Sequence, residues 1–202
     1  MKRVYFFIDG FNFYHSVNYP WLFKYKWLNY AELAKILIKK DEKIEKVLFF
    51  TAFANWDPPK VARHKILIRA LGSFGVETIE GRFKTKQIKC RWCKKFFDQP
   101  IEKQTDVNIA VNLLKSAVQD KFDKAYIVSG DTDLIPAIRA LKELYPQKEI
   151  WVVFPFGRKG KELTSVCDFH IKIKPIHLAA CVFPDPLILP DGSVLSRPNN
   201  WI

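Results

Sequence analysis

At 202 residues the chain is long enough for one sizeable core and short for two, and its 49% hydrophobic and 15% aromatic content excludes disorder. An excess of 33 Lys and Arg over 21 Asp and Glu leaves a net charge of +12, which points to a polyanionic partner, nucleic acid ahead of an anionic membrane. Four cysteines are too few and too unevenly spaced for a disulfide scaffold, and no apolar run approaches a membrane span or a signal-peptide core. A cytoplasmic protein with no membrane partner is therefore expected, with basicity kept for solubility alone as the plainer account of the charge.

Val4 to Ile8 is a continuous apolar run suited to a strand buried on both faces. It ends in Asp9-Gly10, which leaves Asp9 at the carboxyl end of the strand, either as a helix cap or as a chemical group. Between Pro20 and Tyr30 aromatic residues alternate with other types, which predicts a short extended segment with one aromatic face. Tyr30 to Lys40 has helical spacing, and Lys46 to Phe53 reads as a second buried strand. Asp57 before two prolines marks a helix start, and the helix after it turns Leu67, Ala70, Leu71 and Phe74 inward and His64 out to solvent.

A third strand is expected over Val76 to Glu80, followed by a segment of different character. From Arg82 to Phe97 the chain carries seven basic residues and no acid, with aromatics interleaved. That composition suits a loop that follows a phosphate backbone through Arg82, Lys84, Lys86, Lys89 and Arg91 and stacks bases on its rings. A solvated basic hairpin is the alternative. The next helix opens near Thr105, with Val107, Ala110, Val111, Leu114 and Val118 as its apolar stripe and Asp106 in its first turn, where the helix dipole also favours an acid.

Ala125 to Val128 is a further buried strand, and it stops at Ser129-Gly130-Asp131-Thr132-Asp133. With Asp133 as N-cap, Pro136 falls at the third helical position, where no intrahelical bond is lost, and Asp131 stays free in the loop. Glu149 to Pro155 and Phe169 to Ile173 are later strands, with a short helix between them. Strands alternating with helices imply an α/β fold with a mainly parallel central sheet and helices on both faces. A proline-richer tail follows, so the chain divides into a domain over residues 1–175 and an extension over 176–202 packed on it.

Four aspartates thus gather at strand ends and a helix start: Asp9, Asp106, Asp131 and Asp133. Two carboxylates about 5 Å apart repel by roughly 3 kcal/mol at an effective dielectric near 20, so such a cluster raises its own pKa values or requires a cation. Hard oxygen ligands with room for water suit Mg²⁺ or Mn²⁺. Acids at one sheet edge beside a basic loop suggest metal-assisted cleavage of a polyanion.

Three motifs, in order, carry a resemblance: Ile8-Asp9-Gly10-Phe11-Asn12, Glu102-Lys103-Gln104-Thr105-Asp106-Val107, and Val128-Ser129-Gly130-Asp131-Thr132-Asp133-Leu134. Together with Trp151 to Pro155 and Cys167-Asp168 they resemble the NYN domain family of PIN-like ribonucleases. The resemblance implies a PIN-like, Rossmann-like three-layer sandwich and a metal-dependent RNA-cleaving site. On it, Asp9, Asp106, Asp131 and Asp133 form the acidic, metal-holding set. Asn12 and Ser129 or Thr132 support ligand or substrate, and Lys103 is a structural or phosphate-facing partner. Asn112 departs from the pattern, standing where many members have a further Asp.

Cys90 and Cys93 form a Cys-x-x-Cys pair like one that some NYN proteins carry. It is half a zinc site, and no second pair completes it within the chain, so Zn²⁺ is the less favoured cofactor. Cys167 and Cys181 are expected as buried apolar residues. The reading is an Mg²⁺- or Mn²⁺-dependent endoribonuclease, with a non-catalytic RNA-binding module as the alternative. The Pro20–Trp27 aromatics and the tail near Trp201 offer a homodimer contact.

Overall fold

In the computed structural model, which describes residues 1–202, the chain alternates strands and helices throughout. The central strand β1 (Lys2–Asp9) leads into α1 (Gly10–Ser16), and α2 (Tyr30–Leu37) follows. Asn29 caps α2, its side chain accepting from the Ala31 and Glu32 N–H groups. Next come β2 (Glu42–Thr51), α3 (Pro58–Ser73), β3 (Val76–Glu80), then β4 (Arg82–Lys89) and β5 (Phe96–Lys103). The second half holds α4 (Thr105–Val118), β6 (Lys124–Val128), α5 (Ile135–Leu144), β7 (Glu149–Phe154), α6 (Lys161–Thr164), β8 (Phe169–Lys172) and α7 (Pro175–Ala180). A two-stranded ribbon, β9 (Leu187–Ile188) with β10 (Val194–Leu195), closes the chain.

Six strands form the main sheet in the order β3-β2-β1-β6-β7-β8, and every neighbouring pair is parallel. The chain moves outward from β1 to β2 and β3, then returns to lay β6 on the other side of β1. Strand order therefore reverses between β1 and β6, and in open α/β sheets ligands bind at the carboxyl ends beside such a reversal.

Side chains alternate across the sheet and fill two cores. One holds Phe6, Ile8, Phe49, Tyr126 and Val153 against α2, α3 and the C-terminal segment. The other packs Phe7, Phe50, Ile127 and Val152 against α4 and α5. Burying an Ile or Leu of α4, such as Ile109 or Leu113, contributes roughly 1.5–3 kcal/mol. The tail after α7 adds Phe183, Leu187, Leu189 and Trp201 to the first core. Backbone bonds from Asn29 N–H to Cys181 O and from Phe183 N–H to Trp27 O fix it there.

One buried ion pair sits at the amino end of the sheet. Lys124 Nζ lies 2.6 Å from Glu42 Oε1 with both side chains buried, and Tyr126 Oη donates to Glu42 Oε2 at 2.9 Å.

Several elements differ from their sequence patterns. Pro20–Lys26 is a 3-10 helix rather than an extended segment: Pro20 starts it, and Leu22 and Tyr25, three residues apart, both turn inward. Residues 82–103 are an antiparallel hairpin, not a loop, in register from Arg82 opposite Lys103 to Lys89 opposite Phe96. In α4 the buried residues are Thr105, Ile109, Leu113, Ser116 and Ala117, while Val107, Val111 and Val118 are exposed. That helix is apolar on more than one face, so periodicity admits two phases, and the sheet selects the one with the bulkier Ile109 and Leu113. His64 is largely buried, its Nε2 3.1 Å from Thr51 Oγ1.

Candidate functional site

Asp9 is the last residue of β1 and only 3% exposed. Its Oδ1 accepts the Asn12 N–H at 2.9 Å, which caps α1, and its Oδ2 accepts from Ser129 Oγ at 2.8 Å. The turn can start at once because residue 10 is glycine: a Cβ there would fall 2.6 Å from Phe50 O. Burial pushes the Asp9 carboxyl up, the two hydrogen bonds oppose that, and the charge of Asp131 adds to it.

Ser129 immediately follows β6. Its Oγ also accepts the Asp131 N–H at 3.0 Å, and Asn12 Oδ1 accepts the Gly130 N–H at 3.1 Å. The ends of β1 and β6 are thereby laced together by side chains. Asp131, rather than Asp133, takes the capping role, its Oδ1 accepting the Asp133 N–H at 3.0 Å at the start of a 3-10 turn over Thr132–Leu134. That turn delays α5 to Ile135 and puts Pro136 at its second position. Asp133 and Thr132 are exposed and take no part in the side-chain bonding.

Asp106, in the first turn of α4, brings a third carboxylate from a helix start and not a strand end. Its carboxyl is pushed up to about 6, first by burial and then by the charges of Asp131, Asp9, Glu102 and Asp133. Carboxylate oxygens of Asp9, Asp106 and Asp131 all lie within 4.8 Å of one another, and Asp133 is outside that set. Three oxygen donors at such spacing, one of them held protonatable by its neighbours, fit a hard divalent cation: the donors are oxygen only, and a 2+ charge would remove the repulsion that raises Asp106.

The hairpin stands beside this edge. Arg82, Lys84, Lys86 and Lys103 share one face of it, all exposed, and Arg82 lies directly opposite Lys103. Like charges in opposed positions repel across a ribbon, and this pair adds to the positive charge of that face. Lys89 is on the other face, 5.7 Å from the centre of the Phe96 ring, and Arg91 is in the turn with the 94%-exposed Trp92. Cys90 and Cys93 are free thiols at that turn. The Cys90 thiol is lowered by the N–H groups of Cys93 and Trp92, but no third ligating side chain joins the pair.

Two residues near the centre stand outside the site residues expected from the sequence. Glu102 ends close enough to act on Asp106 while its Oε1 accepts from the Thr105 N–H at 3.0 Å. Arg158, in the loop after β7, approaches Gly130, where a Cβ would lie 3.4 Å from the Arg158 Cβ. The available signal was positional: the Gly157-Arg158-Lys159-Gly160 stretch follows a strand that ends at the same sheet edge.

The fold and the carboxylate set define an α/β domain able to hold a divalent cation at the reversal of its strand order. Residues 3–174 match the NYN domain, and the chain belongs to the NYN domain family, which is nuclease-like. It is 27% identical to 6-hydroxy-3-succinoylpyridine 3-monooxygenase of Pseudomonas putida, over 98% of this chain and 74% of that protein. Its fold is similar to that of a Vibrio parahaemolyticus protein of unknown function, with a TM-score of 0.60 at 18% identity, covering 86% of this chain and 94% of the other. No helix is long and apolar enough to cross a membrane.

Proposed function

We propose that the protein is an Mg²⁺- or Mn²⁺-dependent endoribonuclease that hydrolyses RNA phosphodiester bonds at the Asp9–Asp106–Asp131 centre. The observation that carries this reading is the convergence of three carboxylates within 4.8 Å at the strand reversal, in a chain of the NYN family with a net charge of +12. When bound, the cation would make a coordinated water acidic and neutralise charge on the scissile phosphate. Asp9 and Asp131 are the principal ligands, because Ser129 fixes both at their strand ends. Asp106, in the first turn of α4, completes the acidic pocket and is placed to take a proton from the attacking water. Asp133 orients water at the rim. The Lys and Arg residues of the hairpin, Lys103 and Arg158 bind the phosphate backbone on either side.

The test compares Asp131→Asn with Asp133→Asn on a labelled RNA in Mg²⁺ and Mn²⁺. Cleavage should fall at least about 100-fold in the first and less than about tenfold in the second. Unchanged cleavage by Asp131→Asn removes the site, and wild-type cleavage that survives excess EDTA removes the metal. RNA binding without turnover in any divalent metal supports the non-catalytic module instead.

A second reading is favoured by the 27% identity to a protein named as a monooxygenase of a succinoylpyridine: an enzyme acting on a small aromatic substrate. A partly open cavity of small-molecule size beside α1 supports it, since a nuclease of a long polymer needs only a groove. Intact RNA together with turnover of a small aromatic compound would select this reading.

A further inference from the structure

A cavity of about 540 Å³ lies between α1, α3 and the hairpin, within the range of small-molecule sites. It borders the acidic centre without including its three carboxylates. The short helix α1 separates the two, with Asn12 on the acidic side and Phe11, Tyr14 and His15 on the cavity side. Trp56, Phe49 and Phe83 supply further aromatic wall. Phe83 meets Trp56 edge-on at 4.6 Å and Phe11 at 5.5 Å, so rings from three elements are already locked around one space.

Three cations line the same cavity: Lys26, Lys60 and Arg63. None is within ion-pair distance of a carboxylate, although the chain forms a dozen such pairs elsewhere. Lys26 is the informative one. It is only 7% exposed, yet its ammonium makes a single hydrogen bond, to Asn18 Oδ1 at 2.8 Å, out of three donors. The faces of Phe23 and Tyr14, at 3.7 and 4.6 Å from Nζ, take part of the charge. Burial first, and then the nearby Lys60 and Arg63, lower the Lys26 ammonium to about 8. The one carboxylate on the wall, Glu102, is committed to Thr105. Elsewhere in this protein the buried lysines Lys124 and Lys148 each have a carboxylate, Glu42 and Asp120; Lys26 has none.

We propose that this cavity is a ligand site for a flat aromatic ring bearing one anionic group, carboxylate or phosphate, with the anion held by Lys26, Lys60 and Arg63 and the ring between Tyr14, Trp56 and Phe83. The site is separate from the carboxylate centre and stands whether or not that centre cleaves RNA. Two sources share this chemistry: a free aromatic carboxylate of metabolic size, and a single nucleotide with its phosphate.

The full chain is titrated calorimetrically with a pyridine carboxylate and, separately, with nucleoside 5′-monophosphates. The neutral amide and the unphosphorylated nucleosides serve as matched controls. At least one anion should bind, at least tenfold more tightly than its neutral counterpart, and Lys26→Met should weaken it at least tenfold. Should Lys26→Met fold poorly, Lys60→Met and Arg63→Met, both at less buried positions, are each expected to weaken binding several-fold. Binding of the carboxylate alone assigns a small-molecule site; binding of the nucleotides alone assigns a subsite for nucleic acid. Absence of binding by both anions, equal binding of neutral and anionic probes, or indifference to the substitutions overturns the proposal.

Discussion

Ser129 Oγ donates to Asp9 Oδ2 at 2.8 Å and accepts the Asp131 N–H at 3.0 Å, so one hydroxyl joins two carboxylate-bearing segments 120 residues apart. Ser129→Ala leaves a nearly inaccessible Asp9 oxygen without its donor. We expect a loss of about 1–3 kcal/mol in urea unfolding. Mn²⁺ affinity should fall roughly tenfold or more, because groups that orient a ligand are felt nearly as strongly as the ligand itself. A stable variant with unchanged Mn²⁺ affinity would show that Asp9 needs no such orientation.

The hairpin makes a quantitative prediction about salt. Lys84 and Lys86 share a face with Arg82 and Lys103, whereas Lys89 lies on the other face. Each phosphate contact on a single strand contributes about 0.7 to the slope of log affinity against log salt. Lys84→Ala/Lys86→Ala should therefore flatten the slope for RNA binding by about 1.4, and Lys89→Ala should change it by less. An unaltered slope in the double variant would take this face off the RNA path.

His64 predicts a pH dependence of stability. Burial, with a smaller contribution from Lys60, lowers its imidazolium to about 4, whereas an unfolded chain titrates it near 6.5. Between those values the unfolded chain binds a proton that the folded one does not. The contribution is thus intact above pH 6.5 and is lost as pH falls toward 4, on the order of 3 kcal/mol in all. Stability measured by denaturation at pH 7 and pH 4.5 should differ less for His64→Gln than for wild type. Equal differences would contradict the burial of a neutral ring.

The main sheet and the acid-bearing strand ends were legible in the residues because both have local signatures. Val4 to Ile8 and Ala125 to Val128 are unbroken apolar runs, and each stops at an acidic turn. The phase of α4 was not, because Val107, Val111 and Val118 compete with Ile109 and Leu113 for the inner face and only the sheet decides. The capping role of Asp131 was equally hidden: Asp131 and Asp133 are both good caps by type, and the choice depends on the 3-10 turn between them. His64 looked exposed because its sequence neighbours Lys60, Arg63 and Lys65 are basic. Its burial comes from Thr51 at the end of β2 and Phe53 in the loop after it.

The Lys124–Glu42 pair makes the last prediction. With both side chains buried, removing one partner strands a charge in the core. Lys124→Met alone should cost roughly 3–5 kcal/mol, and Lys124→Met/Glu42→Leu should recover most of it. Chemical denaturation of the single and double variants measures the coupling. Additive losses would mean that the pair is held by its surroundings and not by each other.

The pairing of Ile8 with Val128 across β1 and β6 has a consequence for how this protein is made and stored. A slip of β6 by one residue would turn every side chain of that strand to the other face of the sheet and carry Ser129 away from Asp9. Much of the hydrogen bonding that gives a circular dichroism signal would survive such a slip, and so would the overall size. The carboxylate centre would not. A preparation that has been refolded or aged is therefore better judged by its acidic site than by its spectrum, since the centre exists only when two distant parts of the chain are aligned to the residue.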